Sequence, residues 1–281
     1  QLGQRGGLAG GPVGSVGLPN VIFVPETAPQ AKIAQLLIFG ATVLLVRGTY
    51  DQAFDLSLEA THRYGWYSRS TAFNAYLSEG KKTGSLEICE QLGWNPPDRI
   101  FVGVGDGCII GGLGKGLRDL RALGWIERLP KLMGVQAAGS AVLVEAWRTG
   151  TEEITPIVPS TLADSISVGI PRDRIKALRA VRDTGGEYLS VSDEEILEAM
   201  RILGQESGVF AEPAGATPFA GLLKMLREGR IDPAERIVVL VTGNGLKDIP
   251  SAIRAVGQPL YVEPAVEDLQ RVVEDLGLAA R

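Results

Sequence analysis

The sequence predicts an α/β fold: parallel sheets covered by helices, arranged as two subdomains. Three observations carry this. From about Asn20, short β-branched runs alternate with stretches of helical periodicity, the pattern of βαβ units and therefore of parallel strands. Two strand-to-helix junctions are rich in glycine, VGVGDGC at Val102–Cys108 and VTGNGLKD at Val241–Asp248. The segment WNPPD, Trp94–Asp98, breaks the rhythm as a turn or linker by its Asn-Pro-Pro content. The boundary is placed there, with residues 1–93 in a smaller N-terminal subdomain and 94–281 in a larger C-terminal one.

Taken in order, NVIFVP reads as a buried strand, Ala31–Phe39 as an apolar-faced helix and Ala41–Val46 as the next strand. Thr49 with Gln52 three residues on makes a capping box for a helix to about Tyr64. A helix is expected after SEGKKT, carrying SLEICEQLG. Beyond the linker, RIFVGV is a strand, Gly111–Leu123 mostly helix, KLMGVQA a strand, Asp173–Arg182 a helix and EYLSV a strand. Ser192 with Glu195 forms a second capping box, for a helix to about Gln205. Gly215–Glu228 is helical, and Arg236–Thr242 is a buried β-branched strand. Thr151–Gly169 is poorly periodic and reads as a loop with a short helix.

Composition narrows the function. A formal net charge of -5 without a basic run argues against nucleic acid or anionic membrane as the main partner. Two cysteines, Cys89 and Cys108, are too few for a disulfide framework or a zinc site, and a reducing, cytoplasmic setting is expected. No apolar run approaches the roughly 20 residues of a transmembrane helix. The single histidine, His62, leaves a Ser-His-Asp triad or a two-histidine metal site little to build on, and reads as a solvated helix residue.

Four segments bear on chemistry. The glycines of Val102–Cys108 follow a strand and precede a helix. Their backbone can approach a ligand closely, and the helix start favours an anion such as a phosphate. The spacing is not that of a dinucleotide fingerprint, and a simple tight turn is the alternative. Thr242 ends a strand just before a glycine turn. In open parallel sheets ligands lie at such ends; capping of the turn is the alternative. Glu212, in AEPAGATPF, is either a site carboxylate or an acid at a helix start, and the residues alone favour the second. Lys81 and Lys82, in NAYLSEGKKT, read unaided as exposed.

In this order and spacing, the segments PQAKIAQLLIFGATVLLV, NAYLSEGKKT, VGVGDG, VSDEEI, EPA and TGNGLKD resemble the fold type II pyridoxal-phosphate (PLP) enzymes, and the threonine synthase family among them. The resemblance runs from about Val21 to Asp248. It implies PLP as cofactor, held by the larger subdomain at a cleft between the two. It implies a small amino-acid substrate, a homodimer, and conversion of O-phospho-L-homoserine and water to L-threonine and phosphate. A threonine or serine dehydratase, or a non-catalytic PLP-binding remnant, are the alternatives. Residue by residue, it implies that Gly105, Asp106, Gly107, Cys108 and Ile109 hold the cofactor phosphate through backbone N–H groups. Thr242 would face the pyridine nitrogen, and Glu212 would lie near the ring in a supporting role.

Two departures accompany the resemblance. Family members commonly carry an arginine two residues before the EG pair, able to bind the substrate phosphate; Leu77 stands there, so the site either binds phosphohomoserine less well or recruits another cation such as Lys81. The family's catalytic lysine lies in an (S/T)FK motif that has no counterpart in residues 1–281, and Lys32 belongs to the KI.Q segment instead. The family's S.GN.AAS.AA loop is missing as well. Synonymous codons exist for Gly3–Gly11 that, read one base later, spell GNAAASLA. The expectation is therefore a frameshift between about Gly11 and Gly17, an aberrant and poorly packed segment 1–16, and an N-terminally incomplete, inactive enzyme.

Overall fold

The computed structural model describes residues 17–278, so the expectations for Gln1–Val16 lie outside the described residues. Strands β1 (Val21–Pro25) and β2 (Thr42–Val46) pair in parallel as a two-stranded sheet, with α1 (Gln30–Ile38) crossing between them. Ile22, Val24, Ala28, Ile33, Leu36 and Ala41 form the small core under this crossover. The Thr49–Gln52 capping box closes in both directions and starts α2 (Tyr50–Tyr64), which packs on β1. His62 is exposed on that helix.

A four-stranded, all-parallel sheet in the order β5-β4-β3-β6 makes the larger layer. Its strands are β3 (Arg99–Gly103), β4 (Lys131–Ala137), β5 (Glu187–Val191) and β6 (Ile237–Leu240). Side chains alternate between its faces. Ile100, Val102, Leu132 and Tyr188 enter one apolar cluster, while Phe101, Met133, Val135 and Leu189 enter the other, so the sheet is covered on both faces as parallel sheets require. The first face carries α3 (Ala75–Gln91), α4 (Cys108–Ala122), α5 (Val142–Thr149) and α6 (Arg174–Asp183). The second carries α7 (Asp193–Ser207), opened by the Ser192–Glu195 capping box, and α8 (Pro213–Arg227). Two C-terminal helices, α9 (Ile249–Val256) and α10 (Val266–Asp275), bury no residue.

Three expectations need correction. β6 is an edge strand and only half-buried, because β3 is its sole sheet neighbour. α3 begins at Ala75, capped by Asn74, and contains the SEGKKT segment that the sequence pattern puts ahead of it. It packs along α4, although it precedes the expected subdomain boundary. The two helices approach closely because α4 presents glycines to α3: a Cβ at Gly112 would lie 2.7 Å from the Cβ of Lys81, and one at Gly116 would lie 2.1 Å from Ser85 Oγ. Lys81 and Lys82 are accordingly half-buried rather than exposed.

Candidate cofactor site

The carboxyl ends of β2, β3 and β6 open onto one cavity of about 520 Å³, within the size range of small-molecule sites. Gly105, Asp106, Gly107, Cys108 and Ile109 line it together with Thr242. The two glycine turns singled out from the sequence therefore share one crevice, because β3 and β6 are neighbouring parallel strands. From the smaller sheet, Arg47 and Thr49 reach the cavity, as do Arg69, Ser70 and Thr71 from the loop before α3. The aperiodic segment expected as a loop also lines it, through Asp164–Val168, which includes the short 3-10 turn Asp164–Ile166.

The glycine loop is held from both sides. Asp106 is buried, and its carboxylate accepts from the Tyr50 hydroxyl at 2.5 Å and from the Arg172 backbone N–H at 3.2 Å. Its carbonyl accepts from Asp173 N–H at 2.9 Å. Asp106 thus fixes the loop to α2 and to the approach of α6. Gly107 has φ +88°, and a Cβ there would sit 2.5 Å from that of Ala177, so only glycine fits without displacement. Gly107 caps α4 with no side-chain hydrogen bond, leaving the helix start to the backbone. A helix N-terminus uncapped by a side chain and lining a cavity suits an anion.

At the second turn the cap is Asn244 rather than Thr242, its side chain accepting from Leu246 N–H at 2.9 Å. The turn is tied to α8 by Glu212 N–H donating to Gly243 carbonyl at 3.0 Å. Glu212 stands at the N-cap of α8 as the residues alone suggested, yet its side chain does not cap. It turns instead to Lys32, whose Nζ lies 3.5 Å from Glu212 Oε2, 2.8 Å from Asp164 Oδ2 and 2.7 Å from Ser165 Oγ. Both Lys32 and Glu212 are almost fully enclosed, at 3% and 1% exposure. Glu212 is not among the residues lining the cavity; through Lys32 it supports the Asp164–Ser165 wall that does.

Sequence reasoning gave Lys32 no role. The signal was its helical phase, since Lys32 shares the buried face of α1 with Leu36 one turn on. Arg47, Arg69 and the Asp164–Val168 wall were also missed, because no motif marks them. Lys81 is placed outside the cavity: it faces α4, and its Nζ donates to Leu77 carbonyl at 3.4 Å. Lys82 pairs with Glu79 and Asp119.

Burial raises the Glu212 carboxyl above its ordinary value of 4.5, opposed by Lys32 and Lys247. The folded protein therefore binds that proton more tightly than the unfolded chain does. The stability it brings is full below about pH 4.5 and falls as pH rises through the raised value. Glu212→Gln removes this titration. The decline in urea midpoint between about pH 5 and pH 8 is expected to be smaller in the variant than in the native chain. An equal or steeper decline contradicts it.

Residues 14–243 match the profile of a protein family described as pyridoxal-phosphate dependent enzymes. The chain is 40% identical over 258 residues to the threonine synthase of Methanocaldococcus jannaschii, covering 91% of this chain and 64% of that protein. It is 34% identical to the threonine synthase of Mycobacterium bovis, covering 94% and 70% respectively. It thus spans somewhat under two thirds of the length of the first relative. The fold is similar to that of maize serine racemase, with a TM-score of 0.72 at 20% identity over 98% of this chain and 76% of that one. The residues fit the cofactor of such enzymes: the Gly105–Ile109 backbone offers an anion cradle that a Cβ at Gly107 would disrupt, and Thr242 lines the same cavity. No helix among the described residues is long and apolar enough to cross a membrane. The chain belongs to the fold type II pyridoxal-phosphate dependent enzymes, in their threonine synthase family.

Proposed function

We propose that this chain carries the greater part of a threonine synthase, which converts O-phospho-L-homoserine and water to L-threonine and phosphate. The observation that supports it most is the meeting of the Gly105–Ile109 loop with Thr242 in one cavity, in a chain this similar to threonine synthases. When bound, PLP supplies an electron sink for charge that develops on the substrate carbons. Gly105, Asp106, Gly107, Cys108 and Ile109 would hold its phosphate by backbone N–H groups, aided by the dipole of α4. The Thr242 hydroxyl, which lines the same cavity, would be the neutral partner for the ring nitrogen and so would moderate the sink. Glu212 supports this arrangement from outside the cavity, held by Lys32. A homodimer acting on a small amino-acid substrate in the cytoplasm is part of the same proposal.

Phosphate release and threonine formation from O-phospho-L-homoserine test it, with PLP present. Residues 1–281 hold no counterpart of the family's lysine motif. On their own they are expected to turn over at least about 10³-fold more slowly than when joined to a segment bearing it, since a positioned acid–base group typically contributes 10² to 10⁴ in rate. Equal rates with and without the segment would contradict the assignment of that step. Release of ammonia from threonine or serine, with none of phosphate from phosphohomoserine, would instead assign a dehydratase.

A further inference from the structure

The glycine loop is backed along its length by residues 166–173. A Cβ at Gly105 would lie 2.9 Å from Ile166 Cα and 3.1 Å from Val168 Cγ2, and one at Gly107 would lie 3.3 Å from the Asp173 carbonyl oxygen. Between these two glycines, Asp106 accepts from Arg172 N–H through its carboxylate and from Asp173 N–H through its carbonyl. Close packing and two hydrogen bonds therefore make the loop and this segment move together.

The same segment holds α2, the helix on the smaller sheet. Asp51, Phe54 and Asp55 share one face of α2, because residues three and four apart lie side by side on a helix. Arg172 lies across that face. Its Nη2 donates to Asp51 Oδ1 at 3.2 Å and to Asp55 Oδ1 at 3.1 Å, and its guanidinium carbon sits 4.5 Å from the Phe54 ring centroid. Gly169 N–H donates to the other Asp51 oxygen at 3.2 Å. Arg172 Nε is buried with no hydrogen-bond partner among the described residues, a cost that the stack and the two carboxylates offset. Arg172 does not line the cavity. Its side chain grips α2 while its backbone grips the loop.

We propose that Arg172 is a positioning residue for the cofactor loop: it couples residues 105–109 to α2, so that an anion bound at the loop and the docking of α2 strengthen each other. This rests on the reading of that loop as the cradle of the PLP phosphate. An anion there restrains the Asp106 backbone, and with it the N–H groups of Arg172 and Asp173. The clasp on α2 then has less freedom left to lose. By reciprocity, a docked α2 sets the loop in place before the anion arrives. Tyr50, the first residue of α2, adds a second tie through its hydroxyl on the Asp106 carboxylate.

Amide hydrogen exchange on the whole chain, with and without PLP, tests the coupling. PLP should slow exchange at residues 108–110 and also at residues 57–64 of α2, which do not line the cavity. The gain in α2 should exceed that in α7, which contributes no lining residue either. Arg172→Gln should reduce the gain in α2 to that of α7 and weaken PLP by about tenfold, an ordinary size for coupling between two sites. Arg172→Lys should recover part of both, because it keeps the charge but loses the planar fork. Asp51→Asn should weaken PLP to a similar degree and the double variant no further, since either change opens the same clasp. If Arg172 only stabilises the fold, Arg172→Gln lowers the urea midpoint but leaves PLP affinity and the contrast between α2 and α7 intact, and the proposal is overturned. Additive losses of PLP affinity in the double variant overturn it too. Equal gains in α2 and α7 do so in the native chain, with no variant needed. The cradle reading fails separately. If PLP binds without slowing residues 108–110, the loop is not its phosphate site and the coupling falls with it. If residues 108–110 are protected but α2 is not, the cradle stands and the coupling alone falls.

Discussion

Lys32→Met is expected to lower the unfolding free energy by about 3 kcal/mol near neutral pH, the low end of what breaking a buried ion pair costs. Lys32 and Glu212 are both enclosed, and Asp164 is about one third exposed on its side chain. Without the ammonium, Asp164 can recover solvent but Glu212 cannot. Its carboxyl, already raised by burial, loses the largest of the groups that hold it down. The deficit should therefore shrink as pH falls, because Glu212 takes up a proton and no longer needs a cation. Methionine preserves most of the apolar stem, so a deficit that does not change with pH would point to packing instead of charge. The pair Lys32→Met and Glu212→Gln should be less destabilised than Lys32→Met alone, because the stranded carboxylate is gone. Urea unfolding at two pH values decides between these outcomes.

Gly107→Ala should cost about 2–4 kcal/mol of stability, combining the penalty of a left-handed backbone for a Cβ-bearing residue with overpacking. The new methyl would lie 2.5 Å from Ala177 Cβ and 3.3 Å from Asp173 carbonyl, so α6 or the loop must move. Either movement shifts the Cys108–Ile109 backbone, and PLP affinity should fall by at least about 100-fold as the phosphate cradle opens. Gly229→Ala is the control. Its φ is +65°, but nothing lies within 4 Å of the added carbon. It should cost only about 1–2 kcal/mol and leave PLP affinity intact. If the two variants behave alike, the close approach at Gly107 has no bearing on the cofactor.

Much of the fold was legible because local chemistry and tertiary structure agree. Both capping boxes form, at Thr49–Gln52 and Ser192–Glu195. The strands KLMGVQA and EYLSV occupy the expected residues, Lys131–Ala137 and Glu187–Val191, since they are buried on both faces and bounded by turns. What was missed depends on distant partners. α5 went unread because its start is not capped by its own sequence neighbours. Gln136, buried on β4, accepts from the N–H groups of Leu143 and Val144 at 2.8 and 3.1 Å. The start of α3 was misplaced because Gly80 and Gly84 depress helix propensity locally, while packing on α4 outweighs it. In the cavity, the two glycine turns were legible, since strand ends in a parallel sheet converge. The Arg47, Arg69 and Asp164–Val168 walls were not, because loops that line a site carry no periodicity and gain their meaning only from the fold.

In the function proposed above, PLP sits in this cavity with its phosphate on the Gly105–Ile109 backbone and its ring nitrogen toward Thr242. A crystal structure of the chain grown with PLP tests it most directly. Cofactor density is expected with the phosphate oxygens about 2.7–3.1 Å from the backbone nitrogens of that loop, and the pyridine nitrogen within hydrogen-bond reach of Thr242 Oγ1. A cofactor phosphate bound instead at Arg47 and Arg69, or a ring nitrogen turned away from Thr242, would contradict it.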